Sequence, residues 1–287
     1  MYTINRFSKN NYLLWDSFVK NANNGTIFHL RKFLSYHKKS RFIDHSLEFL
    51  KNNALFSVFP AAEKIFNKKR LLVSHPGASV GSFVISDSLS INDSFELVKT
   101  LVKYAKTNNF DGIKLTLPPI FYSNRASNYI DYSLLKQGFE YLKRELTSTL
   151  FLESDKGDIL KENLKIRHGV DPTHSLKELH KLIDLFPESI NIFGAFYEGK
   201  MIAGVLNFIV KEDVALSFYI SHKEEFQDLR PLNLLFYSIF KWAVKEKIKV
   251  YDFGIFTING EPNMGLGRFK ENFGASGIFR DTFQIVF

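Results

Sequence analysis

Short alternating runs of apolar and polar residues, each cut by turn residues, predict a chain rich in β-strands. LEFL (47–50) and ALFSVF (54–59) flank Asn52 and Asn53, which tolerate the left-handed backbone of a two-residue hairpin, and Pro60 closes the second strand. NIFGAFY (191–197) and MIAGVLNFIV (201–210) flank Glu198, Gly199 and Lys200 in the same way. VALSFYIS (214–221) follows a turn at Lys211, Glu212 and Asp213, so three consecutive antiparallel strands are expected there. The earlier counterpart is RLLVSHPG (70–77) followed by the strand-like GSFVIS (81–86).

After each set of strands the period changes from two to 3.6. Phe95, Val98, Leu101, Val102 and Ala105 fall on one helical face, as do Leu232, Leu235, Phe236, Ile239 and Ala243. Each helix leads into a short strand: GIKLTL (112–117), stopped by Pro118 and Pro119, and KVYDFG (249–254), stopped by glycine. Phe95 and Leu232 stand 137 positions apart, as do Ile113 and Val250, while the turns at Asn53 and Gly199 are 146 apart. This spacing predicts a duplicated unit of hairpin, strand, helix and strand, against the alternative of two unrelated α+β modules. The charged stretch 121–170 reads as mostly helical, with helices expected at 124–137 and 156–167. No Pro, Gly or Ser linker separates the halves, so two domains, 1–150 and 151–287, are expected to share an interface and a binding cleft.

The chain has 287 residues, 45% of them hydrophobic, enough for substantial cores, and its 30 Phe and 12 Tyr favour cores that contain sheet. With no cysteine, disulfides, thiolate catalysis and cysteine-held zinc or iron–sulfur sites are excluded, and a reducing cytoplasm fits. MYTINRFSKNNYLLW at the start lacks the apolar core of a signal peptide, and no run nears the roughly 18 apolar residues of a membrane span. A soluble cytoplasmic protein without membrane insertion is the expectation. The 38 Lys and Arg against 30 Asp and Glu give +8, which suits nucleic acid, anionic membrane, or small polyanions such as coenzyme A and nucleotide diphosphates. Clusters at Lys38, Lys39, Arg41 and at Lys68, Lys69, Arg70 read first as solvated surface. Histidines 168, 174 and 180 are spaced by six, and 29, 37 and 45 by eight, which stacks no two imidazoles on one helical face, so no metal site is expected.

Candidate chemistry concentrates in YDFGIFTINGEPNMGLGRFKENFGA (251–275). Gly254, Gly260, Gly265, Gly267 and Gly274 open a strand exit to close backbone approach, and Arg268 and Lys270 favour a phosphorylated ligand there. Gly265, Gly267 and Lys270 do not complete a dinucleotide or P-loop fingerprint. Asp252 is either a proton acceptor or a carboxylate holding loop N–H groups. In SHPGASVGSFV (74–84), Gly77, Ser79 and Gly81 formally match a nucleophile elbow, but a strand-like run follows where the elbow needs a helix. His75 is either catalytic or a strand-end histidine bonded to backbone.

The SHPG run, the central helices, the second meander and the DFG, RFK and FG pattern resemble the FemAB-like tandem acyltransferases, a branch of the GNAT superfamily, over most of the chain. The resemblance implies an α/β (α+β) fold of two GNAT-like domains in tandem, each a mixed, mostly antiparallel sheet flanked by helices. It implies coenzyme A or acyl-CoA as co-substrate and no metal. The donor's diphosphate would rest on the N-terminus of the helix after the third meander strand, at Gln227, Arg230, Pro231, Leu232 and Asn233, where orphan N–H groups and the helix dipole favour anions. The chain departs from the superfamily's glycine-bearing loop, having no Gly between Gly204 and Gly254. SDSLSINDSFE (86–96) in the first half is acidic, so one cofactor site, in the second half, is expected.

Ser217 and Tyr219 lie on the strand whose backbone would polarise the thioester, with Tyr219 placed to protonate the leaving thiolate. The resemblance puts His75, Gly77 and Ser79 at the acceptor, makes Asp252 and His75 base candidates, and gives Arg268 and Lys270 the phosphate. Members of the peptidoglycan-bridge branch use aminoacyl-tRNA; others N-acylate amino sugars carried on nucleotide diphosphates. This chain lacks the long charged helical arm of some tRNA users. The expected function is therefore acyl-CoA-dependent N-acylation of a nucleotide-linked amino sugar for cell-surface polysaccharide such as lipopolysaccharide O-antigen, with nucleic acid set aside as partner. Two alternatives stand: an aminoacyl-tRNA-dependent transferase of peptidoglycan precursors, and a non-catalytic tandem domain that binds nucleic acid or an acidic partner.

Overall fold

A computed structural model of the chain describes residues 2–37, 41–152 and 176–287. The helix expected at 156–167, His168, His174, Lys38 and Lys39 lie outside them. The first part of the chain runs through β1 (Tyr2–Arg6), α1 (Tyr12–Lys20), α2 (Arg31–Leu34), β2 (Ile43–Asp44), β3 (Leu47–Lys51), β4 (Ala54–Phe59), β5 (Ala62–Phe66), β6 (Lys69–Ser74), α3 (Ile91–Thr107), β7 (Gly112–Thr116), α4 (Tyr129–Lys136) and β8 (Glu140–Phe151). It continues with α5 (Leu176–Leu185), β9 (Ile190–Tyr197), β10 (Lys200–Lys211), β11 (Val214–His222), α6 (Pro231–Lys245), β12 (Val250–Ile255), β13 (Thr257–Ile258), β14 (Glu261–Pro262), α7 (Met264–Glu271) and β15 (Ser276–Val286). The fold is mixed α+β and dominated by sheet. Two compact units form, Met1–Arg144 with Arg280–Phe287, and Glu145–Phe279.

In the first unit β1, β3 and β4 make a small antiparallel sheet. Asn52 and Asn53 turn its hairpin at φ of 52° and 65°, the conformation for which asparagine is suited. A second sheet orders β2, β5, β6, β7 and the end of β15, with β6 and β7 parallel. Helix α3 makes the crossover between that parallel pair. Ser90 starts it, its hydroxyl accepting from the Asp93 N–H at 3.1 Å, and Leu97, Val98, Leu101 and Ala105 bury against Leu72, Phe83 and Ile113.

The second unit orders β8, β12, β11, β10 and β9, with β9, β10 and β11 an antiparallel meander and β11 parallel to β12. Helix α6 crosses from β11 to β12 and seats Leu235, Phe236, Ile239 and Ala243 on Val205, Ala215 and Tyr251. Phe236 centres an aromatic cluster, its ring 5.0 Å from Phe253 and 5.3 Å from Phe273. Burial of such rings is what fixes α6 and α7 to this sheet.

The repeat exists in a different alignment from the one the turns suggested. The β10–β11–α6–β12 order corresponds to β5–β6–α3–β7, because each is a hairpin followed by a helix and a parallel strand. The Asn52 and Asn53 hairpin belongs to the separate small sheet. GSFVIS forms no strand; Val84 makes one isolated bridge to Val58. The helix expected at 124–137 is confined to α4, and 140–151, expected within a helical stretch, is the strand β8. Thr147 and Thr149 are β-branched and buried, and that packing overrides the charged, helix-like lead EYLKRE.

Candidate functional site

The functional geometry of the second unit lies where β11 and β12 part. Their parallel register runs Val214↔Val250, Ala215↔Tyr251 and Leu216↔Asp252, whereas β11 continues to His222 and β12 to Ile255. Both strands bulge at that level. On β11 the register with β10 steps from Leu206↔Tyr219 to Asn207↔Ser217, making Phe218 an extra residue; on β12 it steps from Asp252↔Thr149 to Ile255↔Thr147. Bulges bend and overtwist a strand, and the β11–β12 ladder ends at this level. Gly254 carries the β12 bend at φ 77°.

Two charged residues fasten this exit. Asp252, fully buried, accepts from the Gly254 N–H at 2.8 Å and from the Thr147 hydroxyl. Lys270 is also buried, and its Nζ donates to the carbonyls of Gly254 at 2.7 Å and Ile255 at 3.0 Å. Lys270, expected to face a phosphate, donates here to the backbone of the strand exit. Helix α7 delivers it: Asn263 caps the helix by accepting from the Leu266 N–H at 3.0 Å, Phe269 enters the aromatic cluster, and Arg268 points outward as the exposed cation of the pair. Gly267 packs closely on Phe256: a Cβ there would stand 3.2 Å from its ring.

The bulge at Phe218 places Tyr219 and Ser217 on opposite faces of the sheet. Tyr219 shares its face with Asp252, Thr147 and Thr149, away from α6. Ser217 shares its face with Tyr251 and Asn207, under α6, where the Tyr251 hydroxyl donates to Asn207 Oδ1 at 2.8 Å. Burial pushes the Tyr251 phenol far up. The Thr ladder of β8 and the polar rung at Asn207 were missed in the sequence. A lone asparagine inside the apolar run VLNFIV was the available signal.

At the start of α6, Pro231 occupies the first turn and no side chain caps the helix. Arg230 precedes it in left-handed conformation, φ 49° and ψ 50°, exposed, and its N–H donates to the Gln227 carbonyl at 2.9 Å. Leu232 and Asn233 are half-buried. A 3-10 turn (Glu224–Leu229) replaces a glycine loop and exposes Glu224, Glu225 and Asp228, so its charge opposes a diphosphate while Arg230 and the helix dipole favour one.

In the first unit, His75, Gly77 and Ser79 occupy the loop after β6. No helix follows Ser79, so the nucleophile elbow is excluded. The glycines answer to packing: a Cβ on Gly77 would stand 2.1 Å from His37 Nε2, and one on Gly81 2.4 Å from the Ser74 carbonyl oxygen. His75 is buried, and burial holds its imidazole down to about 3, with Asp44 pulling weakly the other way. Its Nδ1 accepts from the Gly77 N–H at 3.2 Å, which leaves the proton on Nε2. Neutral with Nε2–H, His75 offers a hydrogen-bond donor rather than a base. Ser79 is half-buried. Among the described residues no group of three His, Asp or Glu is placed to hold a metal ion, and no helix is long and apolar enough to cross a membrane.

A hairpin, a helix over parallel strands and a splayed exit between them define a GNAT fold. Residues 160–271 match the family model of the acetyltransferase (GNAT) domain. No curated protein matches by sequence. Among solved structures, FemX is similar at 13% identity and TM-score 0.68, covering 99% of this chain and 97% of that one. A tandem GNAT protein from the clavulanic acid biosynthesis pathway is similar at 8% identity and TM-score 0.62, covering 100% and 98%. The C-terminal domain of a putative lysylphosphatidylglycerol synthetase from Agrobacterium fabrum is similar at 10% identity and TM-score 0.55, covering 96% and 92%. At such identities the structural likenesses speak for fold, and the domain match supports acyl transfer as the class of chemistry.

Proposed function

We propose that the protein is an N-acyltransferase whose activated acyl donor threads between β11 and β12. The observation that carries this is the parting of the two strands at paired bulges just beyond Leu216 and Asp252. An acceptor amine, neutral on arrival, attacks the acyl carbonyl carbon directly; the carbon–sulfur bond then breaks and the amide forms. Backbone N–H groups of β11 stabilise the oxyanion. Tyr219 protonates the departing thiolate, and the amine's proton passes through water to Asp252, which shares the Tyr219 face. With no cysteine in the chain, an acyl-enzyme on a thiol plays no part.

The donor reading is acyl-CoA, its diphosphate at Arg230, Pro231, Leu232 and Asn233, with Gln227 beside it. The acceptor reading, an amino sugar on a nucleotide diphosphate, rests on the sequence resemblance, with Arg268 as the exposed cation of the second unit. A second donor reading, an aminoacyl ester on tRNA, is favoured by the full-length likeness to FemX. The purified protein is given a panel of acyl-CoAs with amino-sugar nucleotides, and separately charged tRNA with a peptidoglycan precursor. Thiol release that depends on the amine supports the first reading, tRNA deacylation coupled to amide formation supports the second, and neither in any combination overturns acyl transfer.

A further inference from the structure

The rung Asn191↔Asn207↔Ser217 crosses β9, β10 and β11 on the face under α6, one residue past the last paired position of the splayed strands. Asn207 is fully buried and Ser217 nearly so. Asn207 uses one end of its amide for the Tyr251 hydroxyl, while its Nδ2, sealed from solvent, has no hydrogen-bond partner among the described residues; the same holds for Asn191 Nδ2. Ala215, the residue paired with Tyr251, is small, and the tyrosine crosses its strand to reach Asn207. A buried amide end without a partner costs free energy unless something fills it, and evolution has apolar residues of similar shape at hand for a strand core. The arrangement makes sense as a socket for a polar atom arriving from the wedge.

We propose that this rung is the terminal subsite for the transferred acyl group, and that the acyl group carries a hydroxyl, amino or carbonyl function two or three bonds beyond its reacting carbon. This rests on the acyl-transfer reading and adds the class of acyl chain to it. Such a chain reaches the enzyme either as a hydroxyacyl thioester of coenzyme A or as an aminoacyl ester, and both present the same kind of polar atom to Asn207.

The test measures affinity by calorimetry for butyryl-CoA, 3-hydroxybutyryl-CoA and the non-hydrolysable propionyl and alanyl 3′-amides of 3′-amino-3′-deoxyadenosine, in the full chain and in Asn207→Leu and Ser217→Ala. One well-made buried hydrogen bond corresponds to roughly tenfold in affinity. Wild type is expected to prefer the hydroxybutyryl over the butyryl thioester, or the alanyl over the propionyl amide, by about that factor. N207L should bring the ratio close to one, and S217A, which keeps the strand's shape, should lower it partway. Whichever ligand shows the preference identifies the source. Equal binding of the matched pairs in wild type means that a buried water alone serves the rung, and it overturns the subsite while acyl transfer stands. Absence of binding by all of these ligands overturns both.

Discussion

Lys270 separates a structural from a ligand-binding account of the DFG and RFK segment. Its ammonium donates to the Gly254 and Ile255 carbonyls at 2.7 and 3.0 Å from a buried position. Replacing it by methionine keeps the alkyl stem but removes both donors, leaving two carbonyls short of partners. Each such loss costs about 1–3 kcal/mol, so about 4 kcal/mol in all is expected. With a urea slope of about 2 kcal/mol per molar, the unfolding midpoint should fall by about 2 M. Because β12 leaves the sheet at these residues, kcat should fall as well, with KM for the acyl donor changing less. Urea unfolding followed by tryptophan fluorescence, beside steady-state kinetics, reads both. A K270M protein within about 0.5 kcal/mol of wild type, with KM strongly raised, would refute the anchoring role and return the charge to a ligand phosphate.

Asp252→Asn keeps the oxygen that accepts from Gly254 and Thr147 but cannot take a proton, so melting temperature should hold while kcat falls at least about a hundredfold; an unchanged kcat removes Asp252 from chemistry. Burial holds His29 down to about 4 and His75 to about 3, so the unfolded state, titrating near 6.5, binds more protons below that pH. The stability of the first unit is therefore complete above about pH 6.5 and is lost progressively toward pH 4, by about 3 kcal/mol per histidine; unfolding across pH should show this slope, and His29→Gln should flatten it. Arg230→Gly relieves a left-handed backbone at φ 49°, so it should stabilise by about 1 kcal/mol while raising KM for acyl-CoA; a lower melting temperature contradicts the first half, an unaltered KM the second. Gly81→Ala would set a Cβ 2.4 Å from the Ser74 carbonyl oxygen and should cost about 2 kcal/mol or more in thermal unfolding.

The helices α3 and α6, the second meander and the strands that follow each helix were legible because local signals agree with packing: 3.6-residue apolar faces, two-residue turns and proline or glycine stops. β8 was not legible, since its first half is charged and exposed and only the burial of Thr147 and Thr149 declares it a strand. The same miss hid the ladder beside Asp252. The DFG and RFK residues stood out in the sequence, but charge alone could not say that Lys270 turns inward to backbone carbonyls while Arg268 faces out; that depends on which side of α7 meets the sheet. The bulges at Phe218 and Gly254 also escaped notice, because a bulge adds one residue without disturbing the apolar pattern around it.

The central claim is that the gap between residues 217–222 of β11 and 253–255 of β12 receives the acyl donor. A crystal structure of the protein with a non-hydrolysable acetyl-CoA analogue tests it most directly. The pantetheine is expected between those strands, its carbonyl facing a β11 amide and its diphosphate at 230–233. Strands 217–222 and 253–255 hydrogen-bonded to each other throughout, with the analogue elsewhere or absent at saturating concentration, would contradict it.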